Sequence, residues 1–406
     1  MSQGMNGTGD ERRGARGEGK HSIYLDNNAT TPLDPRVLED MTKVWRDCGA
    51  NPASQHAAGR RARRLVEEAR EGILELLGAQ TSGMGADELI FTSGGTEANI
   101  AILTDLRDPA GELYGLAISA IEHPSTTGTV RILNDYGTFT WSIPVLPSGV
   151  IDLEAADGLL DLEPHRPYLL SVMLANNETG IVQPVAELCR RAARKRTIVH
   201  TDAVQAVGKM PVNFRELGVS AMTVAPHKFH GPLGIGGLVV RKEVLIERGL
   251  GGPSQGLRGG TQSPALAVGF HRALQYAIEE GLSRYERMRD LRDRFERLIK
   301  EQLPTTVVIG EDILRIPQTS CLSFPPLDRQ YLLLALDQVG VACSTGSACA
   351  SGSSEPSPTL VAMNLCGAVL GGALRFSLGA FTTAAEVTES TERIINTVKR
   401  LQPQRK

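Results

Sequence analysis

Between Ile23 and about Val240, apolar positions alternate between two rhythms. Asp34-Pro35 reads as a helix N-cap followed by Pro at the first helical position, and Val37, Leu38, Met41, Val44 and Trp45 then recur on one helical face. A second helix carries Ala62, Leu65, Val66, Ala69, Ile73 and Leu77, and Gly78 ends it. Short apolar runs predict strands at Glu88–Thr92, Leu116–Ala120, Tyr168–Leu174, Ile198–Thr201 and Ala221–Ala225. Helical stretches such as Pro184 to Lys195 lie between them. This alternation implies an α/β fold with a mostly parallel sheet and helices on both faces.

After about Leu282 the texture changes. Tyr285, Met288, Leu291, Phe295, Leu298 and Ile299 mark one long amphipathic helix, Arg-rich on its other face, that leads into a smaller α+β unit. Thr383 and Glu386 form a capping box that opens a last helix. The expected organisation is a disordered, Gly-rich and charged tail over residues 1–20, a large domain over 21–280, and a small C-terminal domain over 281–406 that also takes in the N-terminal strand segment.

Composition narrows the class. The chain has 406 residues, 41% hydrophobic and 22% charged, the balance of an ordinary globular protein. A formal net charge of -3 gives no reason to expect nucleic acid or an anionic membrane as partner. No apolar run is long enough to span a bilayer, and Met1 to Lys20 lacks the apolar stretch of a secretory signal. The six cysteines form no CxxC pair, so a reducing cytoplasm is expected, and no residue is assigned to a metal. Cys189 belongs to a helical apolar face, Cys321 to the run CLSF, and Cys343 to the apolar run VAC; all three read as buried.

Four segments carry candidate chemistry. The chain has nine lysines, most of them in tails or on charged faces. Lys228 instead follows a strand, in APHKFHGPLGIGG, between His227 and a Gly-rich turn, at the strand end where ligands bind to parallel sheets. A partly desolvated lysine has a lowered pKa and forms a Schiff base with an aldehyde. SGGTEAN, Ser93 to Asn99, follows a strand and opens a helix; Gly94 and Gly95 let backbone N–H groups reach an anion, although a plain strand–turn–helix junction uses the same residues. In HTDAVQ, Asp202 ends an apolar run and needs a cationic partner, either a protonated ring nitrogen or an Arg. Cys349 is surrounded by Ser344, Thr345, Gly346, Ser347, Ala348, Ala350, Ser351, Gly352 and Ser353, a stretch that packs little, so packing does not account for this cysteine.

These segments, with YLDNNATTPLDP from Tyr24, NPASQHAAGRRAR from Asn51, EHPS at Glu122, NNETG from Asn176, HTDAVQAVGK, LRGGTQ at Leu257, GSACASGSSEPS and LRFSLGAFTT from Leu374, occur in one order nearly end to end. In them the chain resembles the cysteine desulfurases, class V aminotransferase-like enzymes of the fold type I group that depend on pyridoxal 5'-phosphate (PLP). The resemblance implies that Lys228 is the Schiff-base lysine. His123 would stack on the pyridine ring and carry protons, Asp202 would pair with its nitrogen, and Gln205 would bond its phenolic oxygen. Thr96, His227 and the N–H groups around Gly95 would hold the phosphate, with Thr261 given to the other subunit of a homodimer. Asn177 and Arg375 would clamp the carboxylate of L-cysteine, Asn51 would join the substrate-binding set, and Cys349 would receive the sulfur as a persulfide for a sulfur-acceptor protein such as an iron–sulfur scaffold. A selenocysteine lyase of the same fold and a silent, partner-binding paralogue are the alternatives. The chain departs from the family pattern at Ala225, usually Ser, and at Ala380, commonly Arg; the helix after SGGTEAN and the turn GGPSQGLRGG are each one residue short.

Overall fold

The computed structural model of the protein describes residues 22–105, 115–162, 168–193, 197–244, 258–346 and 355–402. Its strands are β1 (Ile23–Tyr24), β2 (Glu88–Thr92), β3 (Gly115–Ser119), β4 (Thr140–Ile143), β5 (Tyr168–Ser171), β6 (Thr197–Asp202), β7 (Ala221–Val224), β8 (Gly236–Val240), β9 (Val307–Val308), β10 (Thr319–Ser323), β11 (Val341–Ala342) and β12 (Ala373–Ser377). The helices are α1 (Pro35–Asp47), α2 (Ala57–Leu76), α3 (Gly95–Asp105), α4 (Pro124–Asp135), α5 (Leu153–Leu162), α6 (Val185–Ala192), α7 (Phe214–Leu217), α8 (Pro264–Gln302), α9 (Arg329–Gln338), α10 (Pro358–Ala362), α11 (Gly367–Gly371) and α12 (Ala384–Leu401).

The central sheet has seven strands in the order β2-β8-β7-β6-β5-β3-β4. All run parallel except β8, which is antiparallel to both its neighbours. The segment after Lys228, read from sequence as a Gly-rich turn, therefore supplies a central strand. It opens on two glycines in close quarters: a Cβ on Gly236 would lie 2.5 Å from the Gly94 carbonyl carbon, and one on Gly237 2.7 Å from Leu89 Cδ1. One face of the sheet packs Leu170, Val199, Met222 and Val239 against α1, α2, α6 and α8; on the other, Ile90, Leu169 and Leu238 meet Ala98, Ile102 and Val130 of α3 and α4.

Asp34 caps α1 as the sequence predicts, and Gly78 follows α2 at φ +69°. On α1 only Val37 and Met41 are buried; Leu38 and Trp45 are about half exposed, because the helix turns a single narrow face to α8. The long helix starts earlier than Tyr285: α8 runs 39 residues from Pro264 and breaks its helical geometry once, at Gly281 (φ 24°). Beyond that kink Leu291, Phe295 and Ile299 join a separate core with Leu322, Leu374, Phe376, Val387 and Ile394. Ile23 and Leu25 belong to this second core, and β1 pairs with β11. The predicted capping box holds α12 at Thr383 and Glu386. Cys189 and Cys321 are buried; Cys343, which follows the two-residue β11, is only half-buried and packs against the edge of this core.

Candidate active site

The carboxyl ends of β2, β3, β5, β6 and β7 converge on one region, where the strand-end residues of a doubly wound sheet ordinarily meet a ligand. Lys228 ends a short 3-10 turn, Pro226–Lys228, just after β7. Its Nζ donates to the carbonyl oxygens of Asn28 and Ala29, at 2.6 and 2.7 Å. Those acceptors come from the N-terminal segment, which is itself tied down: the Thr31 N–H and hydroxyl both donate to the His227 carbonyl at 2.9 Å.

Asp202 sits at the end of β6, 6% exposed. Asn99 Nδ2 donates to its Oδ2 at 2.7 Å and the Val204 N–H to its Oδ1 at 3.0 Å. Among the described residues no Lys, Arg or His forms an ion pair with it. The Arg alternative is therefore absent there, and a buried carboxylate held only by neutral donors suits a protonated ring nitrogen.

His123 caps α4. Its Nδ1 accepts the Ser125 N–H at 3.1 Å and lies 2.8 Å from the Ser125 hydroxyl. With Nδ1 engaged, the proton of the neutral ring is on Nε2. Burial lowers the His123 pKa, Lys228 and Arg375 lower it further, and the Asp202 charge opposes them. Burial also pushes His227 down to about 3, helped by Lys228 and Lys209; its Nδ1 lies 3.2 Å from the Thr30 hydroxyl.

The β2–α3 turn presents Gly94 and Gly95 at the N-terminus of an 11-residue helix, with Thr96 exposed beside them. A Cβ on Gly95 would meet Val204 at 3.0 Å and the buried Ala225 at 3.7 Å, so the missing Ser hydroxyl at position 225 falls beside this turn. Gln205 Nε2 donates to the Asn28 carbonyl at 3.0 Å.

Arg375 is buried on β12. Nη2 pairs with Asp26 at 2.6 Å, and Nη1 donates to the carbonyls of Asn177 and Gly346, at 3.1 and 2.8 Å. Its Nε is buried without a partner among the described residues. Asn177 and Arg375 thus come together, through the Asn177 backbone. Cys349 lies outside the described residues. The chain on either side of it is fastened: the Ser357 hydroxyl donates to Glu178 at 2.6 Å, and a Cβ on Gly346 would lie 2.3 Å from the same carboxylate oxygen. Asn51 and Thr261 do not join the Lys228 cluster. Both are exposed, and they line a separate cleft of about 620 Å³ with Arg63 and Arg258.

Sequence reasoning assigned no role to three residues that the fold brings in. Asn28 accepts from Lys228 and Gln205 and donates to the Thr319 hydroxyl at 2.8 Å. Asn99 holds Asp202. Lys209 is only 4% exposed and donates to Gln205 Oε1 at 2.7 Å. The signal for Lys209 was its place four residues after Gln205, on the turn that also carries Asp202.

Residues 23–389 match the family described as aminotransferase class-V. A cysteine desulfurase of Cereibacter sphaeroides is 38% identical over 373 residues, which cover 91% of this chain and 94% of that protein. A NifS-like protein from Rickettsia africae has a similar solved structure, with a TM-score of 0.84 at 29% identity over 93% of this chain and 100% of that one. SspA, solved in complex with cysteine, follows with a TM-score of 0.74 at 28% identity, covering 89% and 100%. The fold is thus that of a class V aminotransferase, and the chain belongs to that family, among its cysteine desulfurases.

Proposed function

We propose that the protein is a PLP-dependent cysteine desulfurase that moves the sulfur of L-cysteine onto Cys349 and releases L-alanine. The observation that carries the reading is the Lys228 amine just after β7, held by the Asn28 and Ala29 carbonyls, with the buried Asp202 carboxylate at the end of the neighbouring β6, which forms no ion pair among the described residues. The residues fit the cofactor at both ends. Gly95 and Thr96 at the α3 N-terminus, with His227, suit its phosphate, and Asp202 suits its ring nitrogen. Once bound, PLP supplies the electron sink for cleavage of the substrate's carbon–sulfur bond.

The chain's own groups do the rest. Arg375, with its buried Nε unspent, takes the substrate carboxylate with Asn177. The Cys349 thiolate bonds to the substrate sulfur as the carbon–sulfur bond breaks. The electron pair stays with the carbon fragment, which takes up a proton and leaves as alanine, while Cys349 keeps the persulfide. His123 Nε2 and the Lys228 amine are the proton carriers. Thr261 and Asn51, exposed and apart from Lys228, complete the site of a second copy in a homodimer. The persulfide is then handed to a sulfur-acceptor protein. The division into a large domain and a C-terminal small domain is supported by the two separate cores and by the helix break at Gly281.

The test is mass spectrometry of the protein after adding L-cysteine. A sulfur adduct on the peptide carrying Cys349 is expected, together with alanine in solution. Cys349→Ser should keep the PLP absorbance and lose both products; full turnover in that variant would refute Cys349 as the acceptor.

A further inference from the structure

Lys209 is a buried amine that the reaction does not use. It sits 4% exposed on the turn after β6, and Gly208 just before it takes φ +75° where a Cβ would lie 2.6 Å from Phe229. The Ala206 N–H and Val207 N–H both donate to the Ala203 carbonyl, and the Lys209 N–H donates to that of Ala206, so the turn is internally braced. Taking a lysine out of water is costly, and a methionine would fill the same space without that cost. Something specific must offset it.

The geometry points to Lys209 as a positioning residue that orients the Gln205 amide toward the Lys228 site. The inference rests on the function proposed above and on the role that the family resemblance implies for Gln205, a bond to the cofactor's phenolic oxygen. Lys209 Nζ donates to Gln205 Oε1 at 2.7 Å, and Gln205 Nε2 donates to the Asn28 carbonyl at 3.0 Å. That carbonyl also accepts from Lys228 Nζ at 2.6 Å. Asn28 therefore serves two donors, one of which reacts. Lys209 supplies the bond that stays constant: with Oε1 occupied, the amide keeps its N–H₂ edge toward the site whatever Lys228 does. The titratable groups around it among the described residues include Lys228, Arg375 and Arg284, which are cations, and the neutral rings of His227 and His230; none of these is an anion that would hold the amine instead.

The test is a double-mutant cycle on Lys209→Met and Gln205→Met, with two readouts that do not depend on turnover. The first is the rate at which bound PLP is lost on dilution into excess apo-acceptor. Each single variant should lose PLP on the order of tenfold faster, the scale of one hydrogen bond to a charged group. The double variant should be no faster than Gln205→Met alone. Effects that multiply toward a hundredfold, or an unchanged rate in Lys209→Met, would overturn the assignment. The second readout is the melting temperature of the apoproteins. Gln205→Met strands the Lys209 amine without its acceptor, so the double variant should melt higher than Gln205→Met; a lower melting point would overturn the pairing. That comparison decides even if Lys209→Met alone is not recovered folded. If the wild type binds no PLP, the proposed function fails, and the melting comparison still judges the Lys209–Gln205 pair.

Discussion

At the residue scale, the site is a set of side chains whose ordinary behaviour is altered by where they are held. Glu122, next to His123, is fully buried between the Ser119 hydroxyl and the Met173 N–H, and burial pushes its carboxyl up to about 8. Lys228 is a cation whose amine donates to two backbone carbonyls. If Lys228 carries the cofactor, Lys228→Ala should abolish the bound-PLP absorbance. Borohydride reduction and peptide mapping of the wild type should place the pyridoxyl group on Lys228, and finding it on any other lysine would remove that assignment. The reason Lys228 was readable from sequence, and Lys209 was not, is local. A lysine between a strand and a Gly-rich run is unusual in itself, whereas Lys209 is marked only by what folds over it.

At the element scale, the start of β8 lies tightly against the β2–α3 turn. Gly236→Ala would place a Cβ 2.5 Å from the Gly94 backbone, and backbone cannot swing aside as a side chain can. The turn should be displaced from the helix N-terminus it opens, at an overpacking cost of roughly 1–3 kcal/mol. The expected outcome is a lower melting temperature together with PLP affinity weakened about tenfold or more. A variant that melts lower but binds PLP as tightly as the wild type would detach this turn from the phosphate. The sequence reading took Gly236 as part of a turn because periodicity cannot tell a five-residue buried strand rich in glycine from a loop; pairing with β2 and β7 on both sides makes it a strand.

At the scale of the whole molecule, two buried histidines, His200 and His230, and the half-buried His227 have low pKa values. Burial pushes His200 to about 3, between the hydroxyls of Ser171 and Thr223; His227 goes to about 3 and His230 to about 4. In the unfolded chain each titrates near 6.5. The unfolded state therefore binds more protons below that pH, so the stability they confer is present above about 6.5 and is lost as pH falls toward 4 and 3. Between neutral pH and about 5.5 the three together should remove up to roughly 4 kcal/mol. Glu122 acts in the other direction, costing stability as pH rises from the ordinary carboxylate range toward 8. Melting of the apoprotein at pH 7.5 and 5.5 should show a net loss on the acid side, the histidine loss less the Glu122 gain, and His200→Asn should remove about a third of the histidine share, roughly 1 kcal/mol. An unchanged difference in that variant would show that His200 does not titrate on unfolding.

The sequence by itself determined the alternation of strands and helices, the caps at Asp34 and Thr383, and the ordered motifs that mark a desulfurase. These are local: a capping side chain reaches its own helix, and a 3.6- or 2-residue period is written in adjacent positions. Only the tertiary structure decided that β8 runs against its neighbours, that Ile23 and Leu25 pack with a core built some 300 residues later, and that Asn28, Gln205, Lys209 and Lys228 form one hydrogen-bonded chain. The hydrogen bonds of that chain join residues up to 200 positions apart, and no local period records which carbonyl a distant amine will meet. The physical reason is burial: once Lys209 and Asn28 are taken out of water, each polar atom must find a partner within hydrogen-bond reach, and the fold alone fixes which partners are there.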